Sequence, residues 1–204
     1  MRTLSALVAL STATLLTAQT TGKLGDAIEL MNNPPGASYV AMFPNTTNND
    51  VRGKVIAVSD ATGTGVNFHI MIMGLPLSGG PFMNLHADNL TLGYHLHDQP
   101  VPAGGNCSGT LAHLGPFQRG QTPPCDMTMP QTCEVGDLSG KHGRINGTKV
   151  SKSFLDLYAA LVPGNGAFFG NRSIVIHYAN STRLACANFN MMSSGSTCND
   201  GMRS

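Results

Sequence analysis

Four histidines carry the strongest chemical signal in this chain: the pair His95-x-His97, then His113, then His177 inside Ile174-Val175-Ile176-His177-Tyr178, with Arg183 just downstream. Residues two apart on a β-strand share a face, so both imidazoles of the pair can reach one ion. The pair alone is also what an exposed polar strand face looks like. His177 changes the weighing, because an imidazole without a partner is costly to bury in an apolar strand. Neutral imidazoles suit copper, zinc, iron and nickel. An arginine beside them adds a fixed charge with planar donors, fit to attract and orient an anion.

The elements that must position these residues read as strands. Residues 52–59 and 65–75 have strand character, and Val66, Phe68, Ile70 and Ile72 alternate onto one face. Gly74-Leu75-Pro76 and Ser78-Gly79-Gly80-Pro81 then mark a turn region. Ser173–Tyr178 and Arg183–Phe189 read as two further strands, and only Phe154–Leu161 has the pattern of a helix. Strands separated by Gly/Pro/Asn clusters, with 24 Gly, 12 Pro and no Trp in 204 residues, predict an all-β antiparallel sandwich rather than alternating βαβ units.

Composition places the chain outside the cytosol. A basic Met1-Arg2 start, a mostly apolar stretch to Ala18 and small residues at its end predict a secretory leader over residues 1–18, too short in its apolar core to span a bilayer. The remainder, 19–204, is expected to form one domain with a short tail from about residue 190. Asn-x-Ser/Thr sequons at Asn45, Asn89, Asn106, Asn146, Asn171 and Asn180 predict an exported, glycosylated surface. Five cysteines agree with an oxidising compartment and allow two pairs with one left over. Charged residues are only 11% and the net charge is +1, which leaves no basic footprint for nucleic acid.

The ordered combination Tyr94-His95-Leu96-His97, Cys107, His113, Gly136-Asp137-Leu138, Ile176-His177 and Thr182-Arg183-Leu184-Ala185-Cys186 resembles the copper/zinc superoxide dismutases, in particular their fungal extracellular copper-only branch. The likeness runs from about residue 52 to Phe189. It implies a Greek-key β-sandwich or barrel and one copper ion held by His95, His97, His113 and His177. It also implies a Cys107–Cys186 disulfide and Arg183 beside the copper as the guide for superoxide. Pairing Cys125 with Cys133 then leaves Cys198 over.

The departures narrow the expectation. Bimetallic members bind zinc through two further histidines and an aspartate after the bridging histidine, whereas Leu114–Gly136 holds no histidine and only the aspartate remains, as Asp137. Zinc is therefore expected to be absent. His86 and His142 fall outside the zinc-ligand positions and are assigned surface or local structural roles. Only five residues separate His177 from Arg183, where bimetallic members carry a long electrostatic loop. Glu134, three residues before Asp137, is expected to accept from the outer ring nitrogen of His113, which fixes the tautomer and raises basicity. Asp137 is expected to hold its own loop through backbone hydrogen bonds. The resemblance makes His113 the ligand that carries a proton. The segment Asn84–Gly93 interrupts the direct run from Gly-Pro-Phe to Tyr-His-x-His that the resemblance implies, and reads either as a loop insertion or as the remnant of an unspliced intron.

Together these features predict an extracellular or cell-wall copper-only superoxide dismutase acting as a monomer, without nucleic acid and without a membrane span. A secreted copper-buffering module on the same fold is the competing reading, since a fold does not guarantee turnover. Arg183 and Glu134 favour the enzyme, because a buffer needs neither an anion attractor nor a tuned ligand. A purely structural cell-wall glycoprotein would bind no copper.

Overall fold

The computed structural model describes residues 25–44, 50–76 and 91–193. The leader, the sequons at Asn45 and Asn89, His86, Cys198 and most of the Asn84–Gly93 segment lie outside the described residues. Eight strands form one antiparallel sheet: β1 (Ser38–Phe43), β2 (Arg52–Ser59), β3 (Val66–Met73), β4 (Thr91–His97), β5 (Ile145–Asn146), β6 (Lys149–Asp156), β7 (Ser173–His177) and β8 (Arg183–Met191). Their spatial order is β5-β4-β7-β8-β1-β2-β3-β6. The edge strands β5 and β6 are joined by Gly147-Thr148 alone, so the chain itself draws the two edges together and the sheet curls toward a closed Greek-key barrel.

One expectation needs correction. Phe154–Leu161 is not a helix: residues 149–156 pair along the whole of β3, from Lys149 opposite Met73 to Asp156 opposite Val66. Its apolar residues reflect pairing and core contact rather than a helical stripe, and Phe154 stacks on Phe68 with ring centroids 5.6 Å apart. The one α-helix among the described residues is instead α1 (Leu138–His142), a single turn too short to be stable without tertiary contacts.

The core lies inside the curl. Phe68 and Ile70 of β3, Leu92, Tyr94 and Leu96 of β4, Ile174 and Ile176 of β7 and Phe169 are essentially inaccessible. On β4 and β7 the core thus takes the even-numbered residues. The odd-numbered ones, including His95, His97 and His177, face the opposite side of the sheet. There the segment from Cys107 to His142 folds back over them. Backbone bonds tie it down: Leu96 N donates to Gly136 O (2.9 Å), Leu114 N to Leu96 O (2.9 Å) and Gly136 N to Leu114 O (2.8 Å). Gly136 is required there, since a Cβ would collide with Leu96 O and sit 2.7 Å from Leu114 N.

Candidate metal centre

Register brings the histidines together. In the β4–β7 ladder Gly93 lies opposite His177 and His95 opposite Val175, so His95, His97 and His177 share a face. His113 joins through a bridge between His97 and His113. Gly93 leaves the room: a side chain at this position would meet the His95 ring at 3.1 Å. One ring nitrogen from each of the four histidines falls within 4.8 Å of the others. Opposite ligands at about 2.0 Å from one ion would be about 4 Å apart, so small side-chain adjustments suffice to bind.

The tautomers follow from the hydrogen bonds. His97 Nδ1–H donates to Leu111 O (3.0 Å), with Thr110 Oγ1 equally near. His177 Nδ1–H donates to Ser181 O (3.0 Å), and His113 Nδ1–H to Glu134 Oε2 (2.7 Å). Each ring therefore turns a bare Nε2 inward. His97 Nε2 and His177 Nε2 are only 3.0 Å apart, two lone pairs face to face, which a cation between them relieves. His95 is reversed. Its Nε2–H reaches Ser139 Oγ (2.9 Å), with Asp137 Oδ1 at 3.4 Å, and its Nδ1 is the one buried polar side-chain atom among the described residues with no hydrogen-bond partner. Native proteins rarely bury such an atom without cause. Four inward lone pairs, each backed by an oxygen on the outer nitrogen, fit a metal ion.

Burial, with neighbouring positive charge, favours the neutral form of His95, His97 and His177, the form a ligand needs. Burial, with charge from His113, His177 and Arg183, lowers His97 to about 2. Burial lowers His177 to about 4, partly offset by the Ser181 carbonyl. His95 is also lowered, chiefly by burial. For Asp137 burial works upward, but the His95 contacts and the Gly140 amide outweigh it and hold the carboxyl at about 2.

Around the cluster opens a cleft of about 590 Å³ whose charged lining is Arg119, Arg144, Arg183, Glu134 and Asp137. Arg183 lies opposite His177 across a bulge, and its guanidinium donates to Cys107 O (2.6 Å) and to Leu111 O. Cys107, in turn, is bonded to Cys186, and Cys125 to Cys133. The first disulfide ties the loop under Arg183 to β8; the second closes the loop just before Glu134. Asp137 caps α1, accepting from Gly140 N (2.7 Å), and also faces His95. His142 lies away from the cluster, its Nε2 2.8 Å from Asp156 Oδ2. Ser139 escaped the sequence reading because nothing in its neighbourhood marks it; its contact with His95 spans 44 positions.

No protein-family model matches the chain. It is 46% identical over 185 residues to the cell surface Cu-only superoxide dismutase of Arthroderma benhamiae, covering 82% of this chain and 50% of that protein. It is 35% identical over 174 residues to cell surface Cu-only superoxide dismutase 5 of Candida albicans, covering 84% of this chain and 68% of that one. The solved structure of the Candida albicans superoxide dismutase 5 with Cu(II) matches with a TM-score of 0.66 at 34% identity, over 79% of this chain and 95% of that chain. The chain spans about half the length of the first two curated relatives it matches. On that identity, coverage and shared fold, the chain belongs to the family of cell surface copper-only superoxide dismutases.

Proposed function

We propose that this chain is an extracellular copper-only superoxide dismutase, using one copper ion held by His95, His97, His113 and His177 to convert superoxide into oxygen and hydrogen peroxide. The observation that carries the reading is the set of four inward lone pairs, including the orphaned Nδ1 of His95. Bound copper would supply one-electron chemistry between Cu(II) and Cu(I), for which an all-imidazole donor set is suited.

The chain's own residues do the rest. Arg183 is fixed by two carbonyls and keeps donors in reserve among its five N–H bonds, so it attracts and orients the superoxide anion. His113 is the least buried of the four ligands and the one suited to exchange a proton with water. Glu134 holds the Nδ1–H of His113, fixing its ring and raising the basicity of Nε2. That same contact supports a site without zinc, since it occupies the outer nitrogen of His113 with a carboxylate. Asp137 holds α1 and adds a second oxygen near His95.

The reading includes export through the residue 1–18 leader, a single-domain monomer over 19–204 and no nucleic-acid partner. Export is supported by the exposure of all four described sequon asparagines, Asn106, Asn146, Asn171 and Asn180. Among the described residues no helix is long and apolar enough to cross a membrane. The test is metal analysis and a dismutase assay on one copper-reconstituted sample. One copper per chain with turnover is expected; one equivalent of tightly held zinc would overturn the copper-only reading, and copper without turnover would leave a buffer.

A further inference from the structure

We infer that Ser139 is the positioning residue that fixes His95 in its reversed tautomer, and that a buried Lys141–Asp156–His142 cluster anchors the helix that delivers Ser139. This rests on the copper site proposed above. Three ligands present Nε2 inward, but His95 presents Nδ1, which requires the Nε2–H tautomer and hence an acceptor outside the cluster. Ser139 Oγ is the near one at 2.9 Å; Asp137 Oδ1 is 3.4 Å from His95 Nε2 and 3.4 Å from Ser139 Oγ. A hydroxyl in this place accepts from the imidazole and turns its own hydrogen toward the carboxylate. The carboxylate's pull thus reaches the ring through Ser139. Little slack surrounds the contact, since a Cβ on Gly93 would sit 3.3 Å from His95 Nε2 and 3.4 Å from Ser139 Oγ.

What remains is to hold Ser139 still, because a five-residue helix does not hold itself. Leu138 is fully buried in the core. Lys141 Nζ lies 2.6 Å from Asp156 Oδ2 and donates to Val135 O (2.9 Å), with both charged side chains wholly inaccessible. His142 shares the same carboxylate oxygen at 2.8 Å and stacks on Phe154 with centroids 4.0 Å apart. Asp156 Oδ1 accepts from Tyr158 N (3.0 Å) and Ala159 N (2.9 Å), so both carboxylate oxygens are engaged. A buried ion pair is seldom a better source of stability than apolar packing of the same volume. It does impose one geometry, and here it ties the end of β6 to the turn that carries Ser139. The sequence Gly136-Asp137-Leu138-Ser139-Gly140-Lys141-His142 therefore serves three contacts at once: a cap, a ligand orienter and an anchor.

The experiment compares Ser139→Ala, Ser139→Thr and Lys141→Met with the parent, each loaded with one equivalent of Cu(II). Ser139→Ala is expected to change the copper hyperfine splitting in the electron paramagnetic resonance spectrum. It should also weaken retention against a competing chelator by roughly tenfold or more, while copper-free thermal unfolding stays within a few degrees of the parent. Ser139→Thr keeps the hydroxyl and should restore the parental spectrum. Lys141→Met should shift the spectrum in the direction of Ser139→Ala by a smaller amount; if it does not fold, Asp156→Asn replaces it. A parental spectrum and retention in Ser139→Ala would overturn the role of Ser139, and a parental spectrum in the folded anchor variant would overturn the anchor. A parent that takes up no copper would instead sink the copper site itself.

Discussion

The two halves of the sheet use the same pleat differently. On β3 the accessible residues alternate with buried ones along all eight positions, and Phe68 and Ile70 point into the core while Asn67, His69 and Met71 do not. On β4 and β7 almost every residue is buried, on both faces. Even-numbered residues fill the core, and odd-numbered ones are covered by the loops between Cys107 and His142. The histidines sit on this second face. Burial there makes each imidazole expensive unless a partner takes its ring nitrogens, so the loops that cover the face also supply Leu111 O, Glu134 and Ser139 as partners, and the turn between β7 and β8 supplies Ser181 O. One half of the sheet builds stability, and the other spends some of it on a site.

That division can be broken by substitution. His177→Ala should abolish copper loading, the largest effect expected, read by elemental analysis of the reconstituted protein. Copper-free folding should survive, since the alanine removes a buried imidazole facing another lone pair at 3.0 Å. Phe68→Ala, in the other half, should destabilise by about 3–5 kcal/mol through the cavity it leaves. Chemical denaturation measures that loss, and the folded fraction should still bind one copper per chain. If Phe68→Ala folds but refuses copper, the halves are not separable.

The same contrast explains what could be read from the chain. β2 and β3 were legible because one solvated face leaves a period of two, and Val66, Phe68, Ile70 and Ile72 show it openly. The histidines were legible because their residue type and spacing carry chemistry before any fold is known. β6 was misread because its accessible face is rich in Lys and Ser and the apolar run begins only at Phe154; pairing with β3 decided its state. α1 was missed because a single turn containing Gly140 has no periodicity to detect. Ser139, Lys141 and Asp156 stayed silent for another reason: their partners are 44, 15 and 15 positions away, and only the closed fold brings them together.

Within the site half, substitution of Arg183 should separate capture from binding. Arg183→Ala should lower kcat/KM on the order of tenfold and flatten its dependence on ionic strength, because a fixed charge at the mouth steers an anionic substrate. Copper content should not change, as Arg183 touches Cys107 O and Leu111 O rather than a ring nitrogen of the cluster. Stopped-flow rates across a salt series decide it; an unchanged slope would remove the steering role and leave Arg183 as a loop tie.

Acid should distinguish the halves most finely. In copper-free protein His177 is lowered to about 4 and His97 to about 2, mainly by burial, while an unfolded histidine titrates near 6.5. Below about pH 6.5 the unfolded chain therefore binds more protons than the native one, and stability falls as pH drops through that window. Asp156 behaves differently. Burial would raise its carboxyl, but the Lys141 charge and the bonds from His142 and Lys141 prevail and hold it well below the usual carboxylate range. Its contribution is intact above the unfolded value of about 3.9 and is lost only as pH falls below it. Thermal melts of the copper-free protein should accordingly begin to decline near pH 6.5, with the His177 share complete by about 4, and continue to fall below about 4, where the carboxylates of Asp156 and Asp137 join His97. His177→Ala should shrink the decline above about pH 4 and leave the one below it, whereas Asp156→Asn should do the reverse. A single decline moved equally by both variants would mean that the two halves titrate as one unit.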